Sequence, residues 1–93
     1  MTLQQRLDAC ARRGGLSTQD IADWLDLPYQ TVRAYRQRGS LPYESRRPQI
    51  EERLAWLEDA IRRRDALPVP LNIRANDRKI YLARVLQRVR RKR

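Results

Sequence analysis

The chain has 93 residues, and its 21 basic and 11 acidic residues give a net charge of +10. This length fits one domain with a modest core, and a hydrophobic content of 41% is too high for a wholly disordered chain. A domain this basic repels itself and needs a polyanion or an acidic surface as its partner. Nucleic acid is the commonest such partner.

The residue types that are missing exclude several functions. The sequence has no histidine, which removes zinc fingers, catalytic triads and histidine-based acid–base catalysis. Cys10 is the only cysteine, and its apolar neighbours favour a small core residue over a reactive thiol. Without a carboxylate cluster or a glycine-rich phosphate loop, we predict no catalytic residue, no metal and no cofactor. No run is apolar enough to span a membrane, so we expect a soluble, intracellular protein.

Three short helices are predicted in the first part of the chain. Two capping boxes, in which a hydroxyl and a residue three positions later cap a helix start reciprocally, are Thr2 with Gln5 and Ser17 with Asp20. The helices that follow them are predicted over 3–13 and 18–25. Because Pro28 fits a helix start and disfavours a helical residue before it, a turn and then a third helix over 29–38 are expected.

Two longer helices are predicted in the second part. The fourth, over 48–65, has the clearest helical periodicity in the chain, with apolar residues at spacings of four, three and four. The members of this seam are Ile50, Leu54, Leu57 and Ile61. The fifth helix, over 77–89, follows a proline-rich link that favours an extended conformation.

Residues 16–35, LSTQDIADWLDLPYQTVRAY, resemble the helix-turn-helix of DNA-binding transcriptional regulators, such as phage and prokaryotic repressors. The positions that fill the family pattern directly are Leu16, Ser17, Ile21, Ala22, Leu25, Thr31, Val32 and Tyr35. Asp26 stands where the family usually has glycine, at a position that often needs a positive backbone angle, which aspartate tolerates better than most residues. Pro28 stands where the family usually has a serine cap.

The five predicted helices, of which the second and third lie in the stretch that carries the resemblance, indicate an all-α fold. A helix-turn-helix trihelical core would occupy residues 1–42. Two amphipathic helices and a basic tail would form a C-terminal extension over 43–93, and the two parts are expected to make one compact domain.

The resemblance implies that the third helix enters the major groove of double-stranded DNA. The residues expected to read bases are Tyr29, Gln30, Arg33 and Gln37. Glutamine offers paired hydrogen bonds to adenine and arginine to guanine. The residues expected to contact phosphates are Ser17, Thr18, Gln19, Thr31, Arg36 and Arg38.

The apolar seam of the fourth helix has two interpretations. It can pack on the first three helices and the fifth, or it can form a homodimer interface, since such regulators often read palindromic half-sites. We favour the homodimer, because the trihelical unit could be complete by Gly39.

The basic tail also has two interpretations. Its members are Arg88, Arg90, Arg91, Lys92 and Arg93. It can be a nucleic-acid arm that adds salt-dependent affinity for any sequence, or a solubilising, disordered end. We favour the arm.

The sequence therefore predicts a small, repressor-like transcriptional regulator. It would act in the cytoplasm of a bacterium or a phage-infected cell, on the nucleoid and away from membranes. Two alternatives stay open. One is a phage DNA-packaging subunit resembling a small terminase. The other is a regulator that binds RNA or RNA polymerase.

Overall fold

The computed structural model describes residues 1–64 and 67–91, and within these ranges it has five α-helices and no β-strand. The helices are α1 (Leu3–Gly14), α2 (Thr18–Leu25), α3 (Tyr29–Gln37), α4 (Arg47–Arg62) and α5 (Ala75–Arg91). The predicted all-α class with about five helices is confirmed. The starts of the first three helices are as predicted, whereas α4 ends earlier than expected and α5 is longer at both ends.

Reciprocal capping sets the first two helix starts. The hydroxyl of Thr2 accepts from the backbone N–H of Gln5 at 3.1 Å, and the backbone N–H of Thr2 donates to the Gln5 side chain at 2.9 Å. Ser17 and Asp20 repeat this arrangement at 3.1 and 2.8 Å. Both predicted capping boxes are therefore confirmed. Gly15 adopts the left-handed conformation (φ 61°) and ends α1, as glycine does readily at this position.

One hydrophobic core joins residues from all five helices. The eight-residue helix α2 lies at its centre and packs against each of the other four helices. Trp24 of α2 is 1% exposed, and its indole N–H donates to the backbone oxygen of Arg53 on α4 at 2.9 Å. Leu67 and Val69, in the link before α5, are also buried in this core. The trihelical unit is therefore not complete at Gly39, because α4 and α5 cover α2.

This arrangement corrects the prediction of an interface along the α4 seam. Ile50, Leu54 and Leu57 are 2%, 0% and 0% exposed within the single chain, so they cannot lie between two copies. Ile61 is partly buried at the edge of the same core. The seam is apolar because α4 packs against α1, α2 and α5.

Candidate nucleic-acid interface

The turn between α2 and α3 has the backbone shape that the sequence predicts. Asp26 adopts the left-handed conformation (φ 57°, ψ 48°), which confirms the positive angle expected where glycine is usual. The N–H of Leu27 donates to the oxygen of Ala22 at 3.0 Å and closes the end of α2. Pro28 is the N-cap of α3 and makes no side-chain capping bond. Its backbone oxygen accepts instead from the N–H groups of the first helical turn.

Helix α3 has one buried side and one open side. Val32 is 0% and Tyr35 is 5% exposed, so these two residues fix the inward direction. The four residues predicted to read bases are all exposed: Tyr29, Gln30, Arg33 and Gln37. The Nε of Arg33 donates to the Oε1 of Gln37 at 3.1 Å, which holds the guanidinium along the helix surface.

Arg36 is engaged inside the chain. Its Nε donates to the carboxylate of Asp8 on α1 at 3.0 Å, and its Nη1 donates to the hydroxyl of Thr18 on α2 at 2.9 Å. Its backbone oxygen accepts from Gln4 on α1 at 2.6 Å. Arg36 thus links α1, α2 and α3, whereas the sequence predicts a side chain that is free to contact a DNA phosphate. The reason is its position at the border of the buried side of α3.

The other residues predicted to contact phosphate lie on two neighbouring parts of the surface. Ser17 and Gln19 are exposed at the start of α2, where the side chain of Gln19 donates to Asp23 at 3.0 Å. Thr18 is partly buried and accepts from Arg36, so the start of α2 lies beside α3. Thr31 is partly buried in α3, and Arg38 is exposed at its C-cap.

A buried ion pair fixes α5 against the start of α2. The side chain of Asp20 is 5% exposed, and its Oδ2 lies 2.5 Å from the Nη2 of Arg78. The same nitrogen donates to the backbone oxygen of Gly15 at 2.9 Å. Burial alone would raise the pKa of Asp20, but hydrogen bonds from Arg78 and from the Ser17 backbone outweigh it, and the net pKa is lowered. The sequence assigns Asp20 to capping alone, and no local pattern points to a partner 58 residues away.

Two further ties hold α4 in place, and the sequence predicts neither of them. Arg6 of α1 forms ion pairs with Glu51 and Glu58 of α4, each at 2.7 Å. Arg53 of α4 donates to the backbone oxygen of Trp24 at 3.0 Å, which reciprocates the bond from the indole. The arginines that bond to another helix therefore stabilise the fold, and a binding partner would contact other basic residues. The arginines that bond to another helix are Arg6, Arg36, Arg53 and Arg78.

The basic tail divides into parts with different surroundings. Arg88 and Arg91 are exposed in the last turn of α5, which stays helical to Arg91. The helix predicted to end at residue 89 therefore continues through residues 90 and 91. The guanidinium carbon of Arg90 lies 5.6 Å from the ring centroid of Trp56 on α4, within the range of a cation–π contact. Lys92 and Arg93 lie outside the described residues.

The segment that follows α3 exposes two large apolar side chains that the sequence prediction did not single out. Leu41 is 67% and Tyr43 is 79% exposed, between the end of α3 and the start of α4. Gly39, with φ 68°, turns the chain out of α3, and the N–H of Ser40 donates to the oxygen of Ala34.

No protein-family model, curated protein or solved structure matches the chain. In residues 1–64 and 67–91, no helix combines the length and apolarity needed to cross a membrane. The same ranges hold no group of three or more histidine, cysteine, aspartate or glutamate residues that could bind a metal ion. Burial raises the pKa of the Cys10 thiol to about 11, so deprotonation of this core cysteine is disfavoured at neutral pH.

Proposed function

We propose that this protein binds double-stranded DNA in a sequence-specific way and acts as a small transcriptional regulator, with α3 as its recognition helix. One observation carries the proposal. Helix α3 packs on α2 across the left-handed turn at Asp26 and buries only Val32 and Tyr35. It thereby leaves a polar, basic side open to a partner.

The chemistry of this open side suits base edges in a major groove, which admits an α-helix. Arg33 can donate two bonds to guanine, and Gln30 can pair with adenine through its amide. The bond from Arg33 to Gln37 restricts the guanidinium before DNA binds. This lowers the conformational entropy lost when the side chain is fixed at a base.

The orientation of α3 rests on Arg36. Because its guanidinium joins Asp8 and Thr18, it couples the angle of α3 to both α1 and α2. Ser17 and Gln19 are exposed at the start of α2. We expect this end of α2 to contact phosphates beside the groove through its backbone N–H groups and side chains.

The test is selection of bound duplexes from a random pool by the wild-type protein and by Arg33→Ala. The wild type should enrich a defined site. The variant should lose preference at one base pair, at a cost of about 1–3 kcal/mol for that pair. Arg12→Ala is the matched control, because it removes one charge from an exposed position at the end of α1. It should keep the full preference.

Two outcomes would reject the proposal. One is equal affinity of the wild type for unrelated duplexes, and the other is preferential binding of RNA hairpins. If Arg33→Ala kept the wild-type preference at every base pair, Arg33 would not be a base-reading residue, and the rest of the proposal would stand.

A further inference from the structure

The outward side of α5 carries a row of arginines that form no ion pair with the residues that the structure describes. We propose that this row, the α5 ridge formed by Arg84, Arg88 and Arg91, is a second DNA-binding surface that contacts phosphates regardless of sequence. The inference rests on the proposed DNA-binding function. It gives an exposed side of α5 the sequence-independent phosphate binding that the sequence analysis assigns to the basic tail.

The packing of α5 determines which side is free. Leu82, Val85 and Val89 are 2%, 1% and 4% exposed and face the core. With 3.6 residues per turn, positions 84 and 91 lie on the opposite side and position 88 lies beside them. All three are exposed. Arg90 is directed elsewhere, onto the ring of Trp56.

Within residues 1–64 and 67–91, no acidic residue neutralises the charge of the ridge. Arg6, Arg36 and Arg78 each bind a carboxylate on another helix, whereas the ridge arginines form no ion pair within the described residues. The sequence has no acidic residue after Asp77. Like charges four positions apart, as at Arg84 and Arg88, destabilise a helix. A bound polyanion would remove that repulsion.

The shape and chemistry of the ridge favour a phosphate backbone as the occupant. A shallow depression of about 370 Å³ is lined by Tyr81, Arg84, Gln87, Arg88 and Arg91. The arginines supply donors only, and the seven residue steps from Arg84 to Arg91 give a rise of about 10 Å along the helix axis. One DNA strand presents about three phosphates over that axial length. A second copy of the chain would bring the same positive charge and is therefore disfavoured.

The ridge and the recognition helix are separate surfaces. Both α3 and α5 pack against α2, but within the described part of the chain they make no contact with each other. Phosphate binding at the ridge therefore does not require bases to be read by α3. The two activities should respond to different substitutions.

The experiment compares two full-length double variants that each remove two positive charges. Arg84→Gln/Arg88→Gln changes the ridge, and Arg12→Gln/Arg13→Gln changes exposed positions in the last turn of α1. Affinity for a random-sequence duplex is measured by fluorescence anisotropy across a salt series. The slope of log affinity against log salt concentration is negative, and each phosphate contact contributes about 0.9 to its magnitude. In the ridge variant, which lacks two such contacts, the magnitude should be smaller by about 1.8. The α1 variant should keep nearly the wild-type slope.

Further measurements make the outcome decisive. Circular dichroism checks that both variants fold, and Arg84→Lys/Arg88→Lys should restore the slope because lysine also binds phosphate as a point charge. Equal losses in the ridge and α1 variants would overturn the inference, since net charge alone would then explain them. An unchanged duplex slope, with lost binding to RNA or to an acidic peptide, would overturn it as well.

The same data separate the two proposals. Failure of base readout would appear as no enriched site in the random-pool selection, whatever the state of the ridge. Failure of the ridge would appear as an unchanged salt slope with the enriched site intact.

Discussion

Replacing Asp20 by asparagine tests how strongly α5 is bound to the start of α2. The substitution keeps the size of the side chain but removes its charge. Asp20 accepts from the Ser17 backbone at 2.8 Å and from Arg78 at 2.5 and 3.2 Å. Asparagine can keep one of these bonds through its oxygen, but it leaves Arg78 without its counter-ion.

The expected cost follows from the burial of the pair. Removing one partner of a buried ion pair costs about 3–5 kcal/mol. The side chain of Arg78 remains 20% exposed and keeps its bond to Gly15, which places the cost near the lower limit, at about 3 kcal/mol. A domain of this size has a total stability of about 5–14 kcal/mol. The midpoint of thermal unfolding should therefore fall by about 12–24 °C.

The assay is urea and thermal unfolding followed by far-ultraviolet circular dichroism. Arg62→Gln is the control, because the side chain of Arg62 is 76% exposed and its partner Asp59 keeps a second ion pair with Arg63. Loss of such a pair should cost under about 1 kcal/mol. The double variant Asp20→Asn/Arg78→Gln should cost less than the sum of its single changes. If Asp20→Asn were no more destabilising than Arg62→Gln, the pair would not hold α5 in place.

The carboxylate of Asp20 should also make the free energy of unfolding depend on pH, and the direction of this dependence can be predicted. Because the folded-state pKa of Asp20 is lowered, its contribution is fully present above the unfolded value of about 3.9 and is lost as pH falls through the folded pKa. The free energy of unfolding of the wild type should therefore decrease below about pH 4. The decrease should be shallower in Asp20→Asn, and parallel curves for the two proteins would contradict this account.

Three further predictions concern the core, the thiol and the turn. Leu54→Ala should lower the free energy of unfolding by about 2–5 kcal/mol, with a midpoint independent of protein concentration, because the side chain is 0% exposed within one chain. Cys10 should resist iodoacetamide in the native protein and react after urea unfolding, as mass spectrometry would reveal, since burial raises its pKa to about 11. Asp26→Val should cost about 1–2 kcal/mol in urea unfolding and Asp26→Gly should be tolerated, because φ is 57° at this position.

The sequence predicts the features of this fold that depend on neighbouring residues. A capping box is an interaction over three positions, so Ser17 with Asp20 can be read directly from the chain. The left-handed angle at Asp26 follows in the same way, from the residue type that the turn demands. Helix periodicity predicts the open side of α3, since Val32 and Tyr35 fix which direction is inward.

Features that depend on distant residues could not be predicted. The apolar seam of α4 shows that a face is buried, but periodicity does not say what covers it, and the choice of a second copy for Leu54 was wrong. Arg36 lies at the border of the buried side of α3, where a long side chain reaches either solvent or a neighbouring helix. Only the placement of Asp8 and Thr18 decides between these. Asp20 meets Arg78 only because α5 packs against the start of α2, and neighbouring residues in the sequence do not indicate this packing.

The central position of α2 has a consequence for how the protein is made. Helices α2 and α3 leave the ribosome before α4 and α5, so α2 at first lacks two helices that cover it. Asp20 finds its counter-ion only when Arg78 emerges, 58 residues later. The packing around α2 is therefore complete only after α5 has been made. A chain interrupted before α5 would carry α2, the turn and α3 without the helix that supplies the counter-ion of Asp20.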